Sequence, residues 1–150
     1  MKYILCLLIT IWSLNLFGFT YEVEFFFTAD ERDTDIMKFS ELITLRQFKG
    51  KGNWKDNKGD YGVVDCMGNH TIIKSNKTLL KMYCKEMNEN NNNFVIMFDR
   101  NSENFNAGVG QSIYLVATGK YQQYLNLKCI YAVKSFESKG SIIKQKCRLD

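Results

Sequence analysis

The sequence predicts an all-β protein, a single antiparallel β-barrel of about eight strands, with a β-sandwich as the alternative architecture. Three observations support this prediction. Apolar and polar residues alternate with a period of two along most of the chain, short segments rich in Gly, Asn and Asp separate the alternating runs, and no segment has the apolar spacing of an amphipathic helix of three turns. Short strands at this spacing are typical of antiparallel barrels and sandwiches.

Residues 1–20 have the features of an export signal peptide. Lys2 supplies a positive charge, a mostly apolar stretch follows it, and Gly18 and Thr20 place small residues just before a cleavage site. An uncleaved anchor is the alternative, because about 17 such residues could just span a bilayer. Polar residues interrupt the stretch and no basic stop-transfer segment follows it, so we expect cleavage. The prediction is a periplasmic or secreted protein with one domain over 21–150.

The first predicted strands lie among many charged and turn-forming residues. Residues 21–27 place an apolar set on one face, and the set consists of Tyr21, Val23, Phe25 and Phe27. The charged segment 30–33 is predicted to be a loop or a short helix. Between 37 and 46, the apolar residues expected to face the interior are Met37, Phe39, Ile43 and Leu45, and the polar residues expected outside are Lys38, Ser40, Thr44 and Arg46. A turn-rich corner follows around Trp54.

The second half of the chain has more regular patterns. Two continuous apolar runs, 94–98 and 113–117, are expected in strands covered on both faces. Alternating patterns predict further strands over 61–66, 70–73, 80–84, 125–133 and 143–149. Basic side chains fall on the outward phase of the last two strands, at Lys128, Lys134, Lys144, Lys146 and Arg148. A solvated face that prevents edge pairing explains them, and a docking patch for an acidic partner is the alternative.

Four cysteines after the leader form two pairs, Cys66 with Cys84 and Cys129 with Cys147, each with a separation of 18 residues. Facing residues of an antiparallel hairpin have an even separation when the loop has an odd length. A three-residue loop at 74–76 meets this condition for the first pair, and a short turn meets it for the second. We therefore predict two disulfides across hairpins, although four cysteines allow three connectivities. Export to an oxidising compartment would permit both bridges.

Composition argues against several functional classes. The chain has 20 basic and 16 acidic residues, a net charge of +4, and loss of Lys2 with the leader reduces it to +3. This excess is too small to indicate a nucleic-acid partner. A Cys-x-x-Cys motif is absent and His70 is the single histidine, so we predict neither a metal site nor a cofactor. After leader cleavage we expect no stable membrane insertion.

Candidate catalytic residues are few. His70 is the one possible imidazole base, but no Gly-x-Ser-x-Gly motif accompanies it, and a hairpin histidine is the simpler interpretation. Carboxylates that could act as a pair are Asp60, Asp65, Glu86 and Asp99. The Gly108-Val109-Gly110 segment lacks the following helix and the Lys-Ser or Lys-Thr of a phosphate loop. Catalysis therefore stays uncertain, and a non-enzymatic role is favoured.

Five short segments carry a resemblance to known proteins: Asp56-Asn57-Lys58-Gly59-Asp60-Tyr61-Gly62, Cys66-Met67-Gly68, Tyr83-Cys84, Ala117-Thr118-Gly119-Lys120-Tyr121 and Lys128-Cys129-Ile130-Tyr131. In this order they resemble uncharacterised small secreted bacterial β-barrel proteins. The Thr-Gly-Lys-Tyr turn is also similar to the barrels of the allene oxide cyclase and dirigent class. The resemblance covers about residues 50–149 and implies a barrel whose pocket shapes a reactive apolar substrate. No catalytic residue of that class matches a position in this chain.

Three functional hypotheses follow. The first is an exported barrel that binds a small apolar ligand, because the aromatic content exceeds the needs of a thin sandwich and an eight-stranded barrel can hold one small ligand. Its inner wall is predicted to include Phe39, Tyr131 and Val133. The second is a protein-binding module, such as a hydrolase or protease inhibitor. The third is a cyclase or isomerase, which fold analogy alone supports.

Overall fold

The computed structural model of the protein describes residues 20–28, 34–73, 77–104, 106–136 and 139–149. In these ranges nine antiparallel strands form one sheet, and they are β1 (Thr20–Phe27), β2 (Thr34–Lys38), β3 (Ile43–Asp56), β4 (Tyr61–Ile73), β5 (Lys77–Asn88), β6 (Asn93–Ser102), β7 (Ala107–Ala117), β8 (Lys128–Phe136) and β9 (Gly140–Arg148). The all-β prediction is confirmed. The predictions for the leader, apart from Thr20, and for 30–33 fall on residues outside the described ranges.

Eight of these strands close into a barrel, as predicted. The sheet order runs β1-β9-β8-β7-β6-β5-β4-β3-β2, and an additional pairing of β1 with β3 joins the two ends. Closure is possible because β3 has 14 residues and divides its pairing. Its second half pairs with β1, from Phe27 opposite Gly52 to Val23 opposite Asp56. Its first half pairs with β2, which lies outside the closed circuit as an extra strand.

Alternation of side chains decides which residues fill the barrel. Strand β5 is the clearest case, because every second residue is buried, and the inward set is Thr78, Leu80, Met82, Cys84, Glu86 and Asn88. The apolar run 94–98 was expected to be covered on both faces, and this expectation is wrong. Only Phe94, Ile96 and Phe98 are buried, whereas Val95 and Met97 are partly exposed on the outer face. A single closed barrel has one dry side, so the outer face meets solvent.

The run 113–117 was also expected to be covered on both faces, and here a register shift explains why it is not. The pairing of β6 with β7 shifts register, with Val95 opposite Val116 and Ile96 opposite Tyr114, so Leu115 is an extra residue. Such a β-bulge places two consecutive side chains on the same side. Leu115 and Val116 are both exposed, while Tyr114 is fully buried.

One end of the barrel is closed by aromatic side chains. A 3₁₀ helix, Gly119–Tyr124, connects β7 to β8 and buries Tyr121 and Tyr124. Tyr124 stacks on Tyr21 with ring centroids 4.1 Å apart, and Tyr121 packs edge-on against Phe94 at 4.7 Å. The Asn88 side-chain amide donates a hydrogen bond of 3.1 Å to the Tyr121 hydroxyl. The Thr-Gly-Lys-Tyr turn noted in the sequence thus begins the segment that closes this end.

Both predicted disulfides are confirmed. Cys66 bonds to Cys84 and Cys129 bonds to Cys147, and each pair is directly opposite across a hairpin. All four side chains point into the barrel and are buried. In the chain-entropy description each bridge stabilises the fold by about 3 kcal/mol, because it closes a loop across a separation of 18 residues and so lowers the entropy of the unfolded chain.

The predicted side-chain directions between 37 and 46 are wrong. Strand β2 ends at Lys38, a turn covers residues 39–42, and β3 begins at Ile43. Phe39 lies in this turn and is 62% exposed. In β3 the inward phase contains Arg46 and not Leu45, because Arg46 faces His70 across the β3–β4 pair and lines the interior. The apolar residues of this segment therefore lie in a hairpin outside the barrel.

Candidate functional site

The end of the barrel opposite the 3₁₀ helix contains a cavity of about 120 Å³, partly open to solvent. Its apolar wall consists of Phe27, Phe48, Leu80, Met82, Val133 and Ile143. The alternation of β1, β3, β5, β8 and β9 directs these side chains inward. The cavity is close in size to an engineered cavity of about 150 Å³ that binds benzene. It can hold one small ring or a short chain.

A transverse row of residues crosses the wall of this cavity. Arg46 is opposite His70, His70 is opposite Leu80, and Leu80 is opposite Arg100. Directly opposed residues of an antiparallel sheet point to the same face, so all four side chains enter the interior from four adjacent strands. Two guanidinium groups and one imidazole therefore face the same cavity.

The imidazole is neutral at ordinary pH. Burial, together with the positive charges of Arg100 and Arg46, lowers the pKa of His70 to about 3. The ring stacks on Phe48, with centroids 5.0 Å apart and an angle of 26° between the ring planes. His70 can therefore offer a neutral N–H donor to a ligand, but it is a poor acceptor of a proton from one.

Two glycines in β7 provide room for the polar side chains of the cavity. A Cβ added at Gly108 would lie 3.1 Å from Cδ of Arg100, and a Cβ added at Gly110 would lie 2.6 Å from Cε1 of Tyr131. Gly110 is directly opposite Tyr131 in the β7–β8 pair. The Gly108-Val109-Gly110 segment is thus part of a strand, and its glycines allow two large side chains to lie flat against the wall.

Tyr131 is a further polar residue that lines the cavity. The residue is 1% exposed, and its ring packs edge-on against Phe98 with centroids 5.0 Å apart. The hydroxyl oxygen has no hydrogen-bond partner among the described residues. Burial raises the pKa of Tyr131, although the charge of Arg100 acts in the opposite direction, so the hydroxyl keeps its proton and can donate it in a hydrogen bond.

The cavity lining is basic. Among the described residues that line it, Arg46, Lys49 and Arg100 carry positive charge and none carries an acidic group. The outer surface of the barrel is different. There Lys144 pairs with Glu24 at 2.8 Å and Lys146 pairs with Glu22 at 2.9 Å, so the predicted basic face of the last strand is partly neutralised by β1.

The four candidate carboxylates do not come together. Asp65 and Asp99 are exposed on the outward phase, and Asp60 pairs with Lys120 near the closed end. Glu86 is fully buried, and burial raises its pKa well above the ordinary value. It does not line the cavity, since the lining of β5 consists of Leu80 and Met82. No acid–base pair is therefore present at the cavity among the described residues.

Of the three residues predicted for a ligand site, Tyr131 and Val133 line the cavity, whereas Phe39 is exposed in the β2–β3 turn. Arg46 and Arg100 were not proposed from the sequence, and His70 was interpreted as a hairpin residue. The signal that could have identified them is register. The three-residue loop predicted at 74–76 would set His70 opposite Leu80, on the same face as Cys66 and Cys84, and this is the register observed.

The described residues lack two other kinds of feature. Groups of three or more His, Cys, Asp or Glu side chains suited to a metal ion are absent from them. They also contain no helix with the length and hydropathy of a membrane span.

Comparison with known proteins relates the chain to others through its fold alone. No protein-family model matches the sequence, and no curated protein sequence matches it. A protein with unknown function from Clostridium acetobutylicum ATCC 824 has a similar structure, with a TM-score of 0.69, 8% identity, and coverage of 86% of this chain and 96% of that one. The conserved protein of unknown function RPA1785 from Rhodopseudomonas palustris has a TM-score of 0.67 and 10% identity, with coverage of 88% and 98%.

Proposed function

We propose that the protein binds a small, largely apolar molecule in the open end of the barrel. The cavity of about 120 Å³ is the observation that carries this proposal. Ligand sites are usually concave, mostly apolar and supplied with a few polar groups that orient the ligand. Here six apolar side chains form the wall, and Tyr131, His70 and the two arginines supply the polar groups.

The competing hypotheses have weaker support. A buried Asp or Glu at the floor of the cavity would favour an enzyme of the cyclase or isomerase kind, and the buried carboxyl of Glu86 lies elsewhere. An inhibitor that docks through a basic face would use the lysines of β9, and Lys144 and Lys146 are engaged by glutamates of β1. A partly open cavity favours a binding protein over both.

We further propose that binding takes place outside the cytoplasm. The two disulfides are typical of proteins that fold in an oxidising, extracellular-type environment. The predicted signal peptide would deliver the chain there. Recovery of a protein that begins near residue 21 from the cell envelope or medium would support export, and a retained leader would contradict it.

The binding proposal is tested by calorimetric titration with benzyl alcohol, an uncharged single-ring probe that matches the size of the cavity. Gly50 lines the cavity, and a Cβ added there would approach nothing closer than 3.6 Å, at Phe27. Gly50→Leu should therefore fill the cavity without unfolding the barrel. We expect the parent to bind the probe and the variant to bind at least tenfold more weakly.

Ala132→Leu is the matched control, because Ala132 is exposed on the outer face of β8. It adds a larger apolar side chain on the other side of the wall and should leave probe binding unchanged. Equal probe binding by all three proteins, or no binding by the parent, would contradict a ligand site in the cavity.

A further inference from the structure

We infer that the ligand is an organic carboxylate, with a small apolar body against the aromatic and aliphatic wall and its carboxylate held between Arg46, Arg100 and the Tyr131 hydroxyl. This inference rests on the proposed function and specifies the chemistry of the ligand. It comes from the row Arg46–His70–Leu80–Arg100, which brings both guanidinium groups to one cavity.

The charge of the cavity favours an anion. Basic groups line it without any acidic residue among those described there. Burial is the main cause of the low pKa of His70, and the positive charges of Arg100 and Arg46 contribute to it. Arg46, His70 and Arg100 each also interact within the chain, so a ligand would share these groups. In a partly dry site the field of such charges is stronger than at a surface, because water screens it less.

The available donors favour a carboxylate in particular. Arginine presents a planar set of N–H groups that matches the two oxygens of a carboxylate. The neutral imidazole of His70 and the hydroxyl of Tyr131 can donate to the same group, and the Tyr131 hydroxyl has no partner among the described residues. Ser135 and Ser141, directly opposite each other at the rim of the cavity, add two further donors.

The size of the cavity limits the ligand. A volume of about 120 Å³ accommodates a single ring or about six carbons. The apolar wall disfavours a free inorganic anion, because desolvating phosphate against Phe27, Phe48 and Leu80 would cost binding energy with no apolar contact in return. A small aromatic or short-chain carboxylic acid meets both conditions.

The test compares two probes of similar size that share one phenyl ring, benzoate and benzyl alcohol, by calorimetric titration at pH 7. We expect benzoate to bind ten- to a hundredfold more tightly, since hydrogen bonds to a charged group contribute about 1.5–3 kcal/mol. His70 is the only histidine of the chain, so its imidazole proton NMR signal reports binding at this site alone. The signal should shift on addition of benzoate, and the pKa of His70 should rise because the anion offsets the arginine charges.

Variants identify the groups responsible. Arg46→Met and Arg100→Met should each weaken benzoate binding about tenfold or more and change benzyl alcohol binding less than threefold. Arg148→Met is the control, because Arg148 is exposed on β9 and loses the same charge. Tyr131→Phe should weaken benzoate binding several-fold. Because Arg100 is 3% exposed, Arg100→Met could impair folding, and Arg46→Met together with Tyr131→Phe then decides the question.

The outcomes separate the two proposals. Binding of both probes with equal affinity would overturn the carboxylate inference and leave the proposed function intact, whereas binding of neither would overturn both. Benzoate binding that Arg46→Met and Arg148→Met weaken equally would overturn the assignment to the cavity. Tighter binding of inorganic phosphate than of benzoate would also overturn the inference.

Discussion

Acid should destabilise this protein through His70 in a way that a single substitution removes. The folded pKa is about 3 because the ring is buried beside Arg100 and Arg46, whereas the unfolded chain should show an ordinary value of about 6.5. Below pH 6.5 the unfolded chain takes up a proton that the folded protein does not. The contribution of His70 to stability is therefore fully present above pH 6.5 and is lost as the pH falls towards 3.

The magnitude follows from the difference between the two pKa values. Each pH unit within this window changes the free energy of unfolding by about 1.4 kcal/mol per proton, so acidification from pH 7 to pH 4 should cost about 3 kcal/mol through His70 alone. This is a large part of the stability of a single domain, which is about 5–15 kcal/mol. The effect would be visible as a lower urea midpoint.

The assay is urea unfolding of the parent and of His70→Gln at pH 7, 6, 5 and 4. The variant has no titratable imidazole, so between pH 7 and pH 4 the parent should lose about 3 kcal/mol more stability than the variant. Carboxylates such as Glu24 titrate in both proteins and cancel in the difference. NMR titration of the single imidazole measures the folded pKa directly. An imidazole pKa near 6.5, or parallel pH profiles for the two proteins, would refute the buried, arginine-flanked environment.

Three further predictions concern the interior. The effect of Glu86→Gln on the free energy of unfolding should be more favourable at pH 7 than at pH 4. The raised pKa of Glu86 means that its contribution to stability is present below about pH 4.5 and is lost at higher pH. Equal effects of the substitution at both pH values would contradict this. Gly110→Ala should cost about 1–3 kcal/mol in thermal or urea unfolding, because the new Cβ would collide with the backbone oxygen of Asp99, whereas Gly108→Ala meets mainly the movable end of Arg100 and should cost less. Replacing Cys129 and Cys147 together by Ala should cost about 3 kcal/mol, and an unchanged urea midpoint would count against a stabilising bridge.

Strand number and disulfide pairing could be predicted because both depend on the period and spacing of residues that are close in the sequence. A period of two identifies a strand, and an even separation across an odd loop brings Cys66 opposite Cys84 and Cys129 opposite Cys147. Neither prediction depends on which strand closes the barrel. That closure depends on β3 pairing with β1 as well as with β2 and β4, and such long-range pairing leaves no local pattern.

The cavity could not be predicted by the same reasoning, because polarity is a poor guide to direction at the mouth of a barrel. Inward residues there face a partly hydrated space, so Arg46 and His70 can point inward while Leu45 and Phe39 stay outside. A rule that assigns every apolar residue to the interior therefore exchanges the inward and outward faces of the strand. The same assumption made the continuous apolar run 94–98 look covered on both faces.

Aromatic content suggested a ligand, yet most of the large rings fill the closed end. Buried rings meet there from β1, β3, β6, β7 and the 3₁₀ helix, and they belong to Tyr21, Trp54, Phe94, Tyr114, Tyr121 and Tyr124. An eight-stranded barrel is just wide enough for side chains to fill its interior. Rings of this size therefore leave no room at the level they occupy, and they stabilise the fold without forming a site.

The cavity exists at the other end because small residues take inward positions there. Gly50 carries no side chain, and Ser135 and Ser141 carry short ones, whereas tyrosines and a tryptophan fill the closed end. Packing alone would favour larger apolar residues at these positions, since filled interiors are more stable than hollow ones. A sequence that leaves this space open and surrounds it with two guanidinium groups is not optimised for stability there, and this is the physical basis for our proposal that a ligand binds at this end.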